Sequence, residues 1–253
     1  MEDYLYKINE FLPIDDAEIA EYYNKLNKTI IINYINNEYQ FAYIGVHLLF
    51  MTYLYYAVWQ ISKMSSEMYG VASLFVRPFN NTELNFDDIQ SVFDYKDIPE
   101  KDIINFLHLA GIDKSYLGIL KKQIKIRNGM AHASGDYDIL EEEPFQLEIN
   151  NVISIIKKCN KNICENLLLN EYSNSLYLYF AKGKNFEIEI INNFVDNKFI
   201  TELSLSCEEI KYLVNISKKI LFSNFKHLSD KQCVNLKKAH LLICKICNSR
   251  YLS

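Results

Sequence analysis

Residues 41–62 read FAYIGVHLLFMTYLYYAVWQIS, a stretch of the chain without a single Asp, Glu, Lys or Arg. A helix of that length could cross a bilayer, which takes roughly 20 apolar residues. Three features favour a buried helix instead. Tyr53, Tyr55 and Tyr56 fall in its middle rather than at the interfacial ends, His47 and Gln60 add polar groups, and the flanks lack the basic residues that orient a span. The segment therefore predicts a helix packed on all sides at the centre of a helical bundle. A membrane-associated helical protein is the competing reading.

Working outward, Asp15 and Asp16 open a long helical stretch that reaches about Lys63, with a break near Asn36 and Asn37. Seven Gly and four Pro in 253 residues, with long runs of Ile, Leu, Lys, Glu and Asn, point to long helices and few tight turns, so the predicted class is all-α. Arg77-Pro78 and Asn80-Asn81 mark a loop. Asp87 and Asp88 can cap a short helix, Pro99 suits the first turn of another that stops at Gly111, and Asp113 caps the next, from Lys114 to Arg127. A loop from Ala133 to Glu143 follows, and Pro144 reopens a helix to about Leu169.

This layout gives a first bundle over residues 1–170 and a C-terminal helical region over 171–253, whose role is not legible. In the latter, Ser206 with Glu209 and Ser229 with Gln232 have capping-box spacing. Phe186 to Ile190 alternates like a strand, but its context favours helix.

A net charge of −5 and a pI near 5.6 argue against a protein that coats nucleic acid through a broad basic surface, so any such contact is local. The start MEDYLYKINEFLP lacks a basic segment followed by an apolar run, which predicts a cytoplasmic chain. All six cysteines lie beyond residue 150 and read as reduced thiols.

Local positive charge gathers on the helix from Lys114. Leu117, Leu120 and Ile124 follow helical spacing and should face the core, which leaves Lys121, Lys122 and Lys125 outside as candidate RNA-binding residues. That helix ends in Arg127-Asn128-Gly129-Met130-Ala131-His132. Of 27 basic residues only Arg77, Arg127 and Arg250 are arginines, so position 127 reads as one that wants a planar two-pronged donor. A helix continued through His132 would leave the two side chains about 140° apart, too divergent for one phosphate. Gly129 is the expected break that turns His132 back toward Arg127.

RNGMAHASG resembles the signature of the HEPN superfamily, an Arg followed after four to six residues by His. Arg127 and His132 fit with four residues between them, and Asn128 fits the polar residue that often follows the arginine. The resemblance covers roughly residues 1–170 and implies a compact helical bundle that cleaves RNA without a metal or cofactor.

Under that resemblance His132 takes the proton of the ribose 2′-hydroxyl or gives one to the leaving 5′-oxygen. Arg127 holds the scissile phosphate and steadies its growing charge, and Asn128 orients the imidazole or a phosphate oxygen. Products carry 2′,3′-cyclic phosphate and 5′-hydroxyl ends, and DNA is spared. The resemblance further implies a homodimer with the motif at its interface, a protein inhibitor or regulatory partner, and a role as a prokaryotic toxin or anti-phage effector. The alternative is a non-catalytic HEPN-like module that binds a nucleotidyltransferase or another defence protein.

Cys244-Lys245-Ile246-Cys247 with His240 and Cys233 has the look of a zinc site, but one helix carries the group and buried thiols fit better. His47 reads as a satisfied core histidine, and His108 and Cys159 as packing or solvated residues. The chain has no phosphate-binding glycine loop, HExxH or GxSxG.

Overall fold

The computed structural model describes residues 1–79, 86–131, 141–182, 186–224 and 228–251. It is 84% helical with no strand among the described residues, which makes the fold all-α. The chain divides into two compact units, Met1–Ile163 and Cys164–Ser253, with the boundary somewhat earlier than the residue 170 expected from sequence.

The first unit contains α1 (Glu2–Asn9), α2 (Ala17–Ile35), α3 (Tyr39–Met64), α4 (Ser66–Ser73), α5 (Glu100–Phe106), α6 (Lys114–Ala131) and α7 (Glu142–Ile163). Asp16 starts α2 by accepting hydrogen bonds from the Glu18 and Ile19 backbone N–H groups at 2.9 and 3.2 Å. The expected break before α3 is real: Asn37 takes φ 62°, and the Glu38 N–H closes the turn on the Asn33 carbonyl at 2.8 Å.

α3 is the uncharged segment, and it packs against α2, α5, α6 and α7. It is long and apolar enough to cross a membrane, yet 78% of its most apolar window is buried inside the protein. Tyr43, Phe50, Tyr53 and Tyr56 are each nearly inaccessible, so the aromatic rings that would be misplaced mid-bilayer are core here. At Gly45 a Cβ would lie 2.5 Å from Ile30 Cγ1, so the bare backbone sets how closely α2 approaches α3.

Beyond α4, a 3₁₀ segment at Val92–Asp97 carries a capping box made by Ser91 and Asp94. Pro99 stands just ahead of α5. A 3₁₀ turn, Leu107–Ala110, then ends at Gly111 with φ 81°, a conformation that suits glycine. Asp113 caps α6 through the Tyr116 N–H at 2.9 Å.

The second unit follows a different rule. Cys164, Leu168, Tyr172, Leu176 and Phe180 are all buried and spaced by four residues. In a regular α-helix each such step drifts about 40°, and four steps would carry Phe180 about 160° from Cys164. The backbone resolves the conflict with wide π turns at Cys164–Leu168 and Tyr172–Tyr177, separated by short α8 (Leu169–Glu171) and followed by α9 (Leu178–Phe180).

Ile191, Val195, Phe199 and Leu203 repeat the pattern, and there α10 (Ile188–Asn192) passes into a π segment at Asn193–Thr201. Tyr179 stacks on Phe194 at 4.3 Å, and Tyr172 meets Phe199 edge-on at 6.3 Å. Of the alternating stretch at 186–190, Ile188 to Ile190 are helical in α10, as expected, while Glu187 ahead of them is extended.

α11 (Cys207–Asn224) and α12 (Asp230–Tyr251) complete the unit. At both expected boxes the Glu209 or Gln232 side chain reaches back to the helix start, and at Ser229 the hydroxyl also accepts from the Gln232 N–H. Glu209 accepts from the Ser206 N–H at 2.8 Å, and Gln232 accepts from the Ser229 N–H at 2.7 Å. None of the six cysteines is in a disulfide.

Candidate functional site

α6 is tied to the core by polar contacts as well as by Leu117 and Leu120. Tyr43 donates from α3 to Gln123 Oε1 at 2.7 Å, and Gln123 Nε2 donates to Glu148 of α7 at 3.2 Å. Gln40 Nε2 donates to the Met130 carbonyl at 2.9 Å, near the helix end. Gln123 is buried and Ile124 only half so, which shifts the inward face of α6 by one residue from the apolar reading. The shift has a cause: a carboxamide can satisfy a buried tyrosine that isoleucine cannot.

Arg127 stands on the last turns of α6, half-buried, and its Nη2 donates to Glu100 Oε1 at the start of α5. The Nε group of the same guanidinium is buried without a hydrogen-bond partner. Behind the carboxylate sits His47 of α3, with Nε2 at 3.7 Å from Glu100 Oε1 and the ring 1% exposed. Neither ring nitrogen of His47 has a hydrogen-bond partner, so the expectation of a satisfied core histidine fails.

Burial pushes the Glu100 carboxyl up, but His47 and Arg127 outweigh it and leave the group below its ordinary value. Burial, with Glu100 adding its charge, raises the nearby Tyr55 phenol to about 12. The outcome is a partly buried Arg–Glu–His row joining α6, α5 and α3.

Asn128 is the next residue on α6 and is half-buried. His132 lies outside the described residues, as does most of the loop after it. The break expected at Gly129 is absent, because α6 runs through that residue to Ala131. A Cβ on Gly129 would touch nothing within 4 Å. Backbone hydrogen bonding across the last turn therefore outlasts the helix-weakening glycine.

Of the expected RNA-binding lysines, Lys122 and Lys125 are exposed and Lys121 is half-buried, its Nζ held by Asn105 Oδ1 at 2.9 Å. Lys121 borders a cavity of about 470 Å³ whose other lining residues are Asn105, His108, Lys114, Leu117 and Gly118. Gly118 sits mid-helix, where glycine costs about 0.5–1 kcal/mol relative to alanine. A Cβ there would meet nothing within 4 Å.

In the second unit, His240 Nδ1 lies 2.8 Å from Ser217 Oγ, and Cys244 Sγ lies 3.6 Å from His240 Nε2. The Ser217 hydroxyl already donates to the Val214 carbonyl at 3.1 Å, so it accepts from Nδ1–H and the ring is the Nδ1-protonated tautomer. Burial, helped by Lys218, lowers the His240 pKa, and burial raises the Cys244 thiol. A neutral imidazole beside a protonated thiol is packing chemistry, not a nucleophile with its base. Among the described residues no three His, Cys, Asp or Glu side chains converge as metal ligands. Burial also pushes Cys159 to about 12, in keeping with a packed thiol.

The sequence reading missed Glu100, because an acidic residue just after Pro99 satisfies the ordinary pattern of a helix start. His47 did leave a signal, a titratable ring within an uncharged helix. No protein-family model, curated protein or solved structure matches this chain.

Proposed function

We propose that the chain is a metal-independent endoribonuclease of HEPN type. Arg127 holds the scissile phosphate, His132 transfers the proton, and Asn128 orients one of them. The observation that carries the reading is the state of Arg127. Glu100 fixes one prong of a guanidinium that is still 25% exposed, so a planar donor set is held in place at the surface. A preorganised donor of this kind helps most where negative charge grows during reaction, as on the oxygens of a phosphodiester under attack by a 2′-hydroxyl. Lys121, Lys122 and Lys125 on the same helix supply positive charge close to Arg127 on a chain that is acidic as a whole.

In this reading the protein acts as a homodimer that brings two motifs to one cleft, since a single guanidinium and a single imidazole are few groups for the charge involved. It works inside a prokaryotic cell as a toxin or defence effector, under the control of a protein partner. One observation favours a second reading: the Arg127–Glu100 pair by itself staples α6 to α5, which is all a non-catalytic HEPN-like binding module would ask of it.

Incubating purified protein with mixed RNA in EDTA and mapping the ends separates the two. The expected result is cleavage to 2′,3′-cyclic phosphate and 5′-hydroxyl ends, lost in Arg127→Ala and His132→Ala and absent on DNA. Cutting that EDTA abolishes, or that persists in His132→Ala, overturns the mechanism. No cutting at all favours the binding module.

A further inference from the structure

The cavity beside Lys121 is not explained by folding. Its floor is Leu117 and the bare backbone of Gly118, and its rim holds Lys114, Lys121, Asn105 and His108, with no acidic residue among them. The neighbouring Asp113 carboxylate is engaged in capping α6 through Ser115 and Tyr116. Gly118 has neither a positive φ nor a neighbour that a side chain would strike, so no local demand calls for glycine. What its missing side chain does is keep the hollow open.

The chemistry of the rim is specific. Lys114 and Lys121 are seven residues apart, which places them within about 20° of each other around the helix and about 10 Å apart along it. His108 Nδ1 lies 2.8 Å from the Ile112 carbonyl, which can only accept, so Nδ1 bears a proton and Nε2 is the ring nitrogen left for a ligand. An apolar floor, a flat imidazole and two spaced ammonium groups together suit a planar heterocycle attached to phosphates. A simple anion would have no use for the floor, and an apolar ligand none for the lysines.

The cavity also lies on the seam that leads to the motif. Lys121 pairs with Asn105, and Arg127 pairs with Glu100, so both cross between α6 and the α5 segment. Gly118 and Arg127 are about 13 Å apart along the helix axis and, being nine residues apart, on opposite sides of it, so a strand that reaches both passes partway round α6.

We propose that this cavity is a nucleotide subsite. It takes one unpaired nucleotide of single-stranded RNA, its base over Leu117 and Gly118 beside His108 and its flanking phosphates on Lys114 and Lys121, a short run of chain away from the phosphate held by Arg127. The proposal rests on the nuclease reading for its ligand, but its test does not depend on cutting.

A fluorescein-labelled 2′-fluoro octauridylate, which lacks the attacking hydroxyl, reports binding to the full-length protein by anisotropy. Gly118→Leu places a good helix former into the hollow and is expected to weaken binding by at least about tenfold. Circular dichroism and melting temperature check that this variant keeps its fold. Lys114→Gln with Lys121→Gln leaves the hollow open and is expected to lower the salt dependence, the slope of log K against log salt falling by about 1.4 for two lost phosphate contacts.

Equal binding by wild type and Gly118→Leu overturns the subsite. So does an absence of binding by wild type, or equal Gly118-dependent uptake of a polyglutamate peptide. An unmodified octauridylate run in parallel reads the nuclease separately. Binding that depends on Gly118 without cutting by wild type keeps the subsite and removes the nuclease reading, and cutting with Gly118-independent binding does the reverse.

Discussion

His47 and His240 both lie against the side chain of a neighbouring helix, and the difference between their surroundings separates the two units chemically. His47 is almost wholly enclosed and faces a carboxylate that also grips a guanidinium. His240 is half-enclosed and faces a hydroxyl and a thiol, all neutral. Half-buried charge is costly to maintain, so the first arrangement asks for a purpose, whereas the second is what a helix pair does with leftover polar groups. The contrast sets a charged row at the seam of α6 with α5, where the proposed chemistry lies, against a neutral pair in the second unit.

The largest expected effect lies in activity. Arg127→Ala is expected to lower RNA cleavage by about 10²–10³ in single-turnover rate, the usual loss for one charge-stabilising donor. His240→Ala should leave the rate within about twofold, given that no transition-state charge falls near it. Equal losses in the two variants would erase the distinction between the units.

Stability sharpens the comparison next. Glu100→Ala strands a half-buried guanidinium beside His47 and is expected to destabilise by about 1–3 kcal/mol, read by urea denaturation. Ser217→Ala and Cys244→Ala should each cost about 1 kcal/mol or less, because a neutral hydrogen bond carries about that net worth. If the ranking inverts, the row from Arg127 to His47 is not where charge is constrained.

The pH dependence follows from sign. The folded Glu100 carboxyl sits below its ordinary 4.5, so its contribution is present above that value and is lost as pH falls through the folded pKa. Wild-type stability should drop on acidification below about pH 4.5 more steeply than that of Glu100→Gln, as measured by melting temperature across pH 3–6. Parallel curves would show that the carboxylate is not held by its neighbours. The smallest effect is at Gly118→Ala, expected to stabilise by about 0.5–1 kcal/mol through helix propensity alone.

Much of the scaffold was legible because its signals are local. Asp16, Asp113 and Ser229 act as caps where their spacing says so, and the uncharged helix is the centre of the first unit. Gly129 misled because propensity is a weak prior and the last turn of α6 is tethered by Gln40 to Met130. Glu100 was hidden because pairing between residues 100 and 127 is a tertiary fact, while its local context already explained it. The buried series at 164, 168, 172, 176 and 180 was written in the sequence but does not fit a 3.6-residue template, so a search for ordinary helical periodicity passes over it.

That series has a consequence for how the protein can change. Each wide turn carries one residue more than a regular helix would use, so losing a residue there would let the backbone close into ordinary winding without breaking its ladder. The residues after it would then stay nearly in phase, whereas a residue lost from a regular stretch such as α11 would swing everything downstream by about 100° about the axis. The wide turns are therefore the places in this stretch where a change of length is absorbed locally, and the regular helices are not.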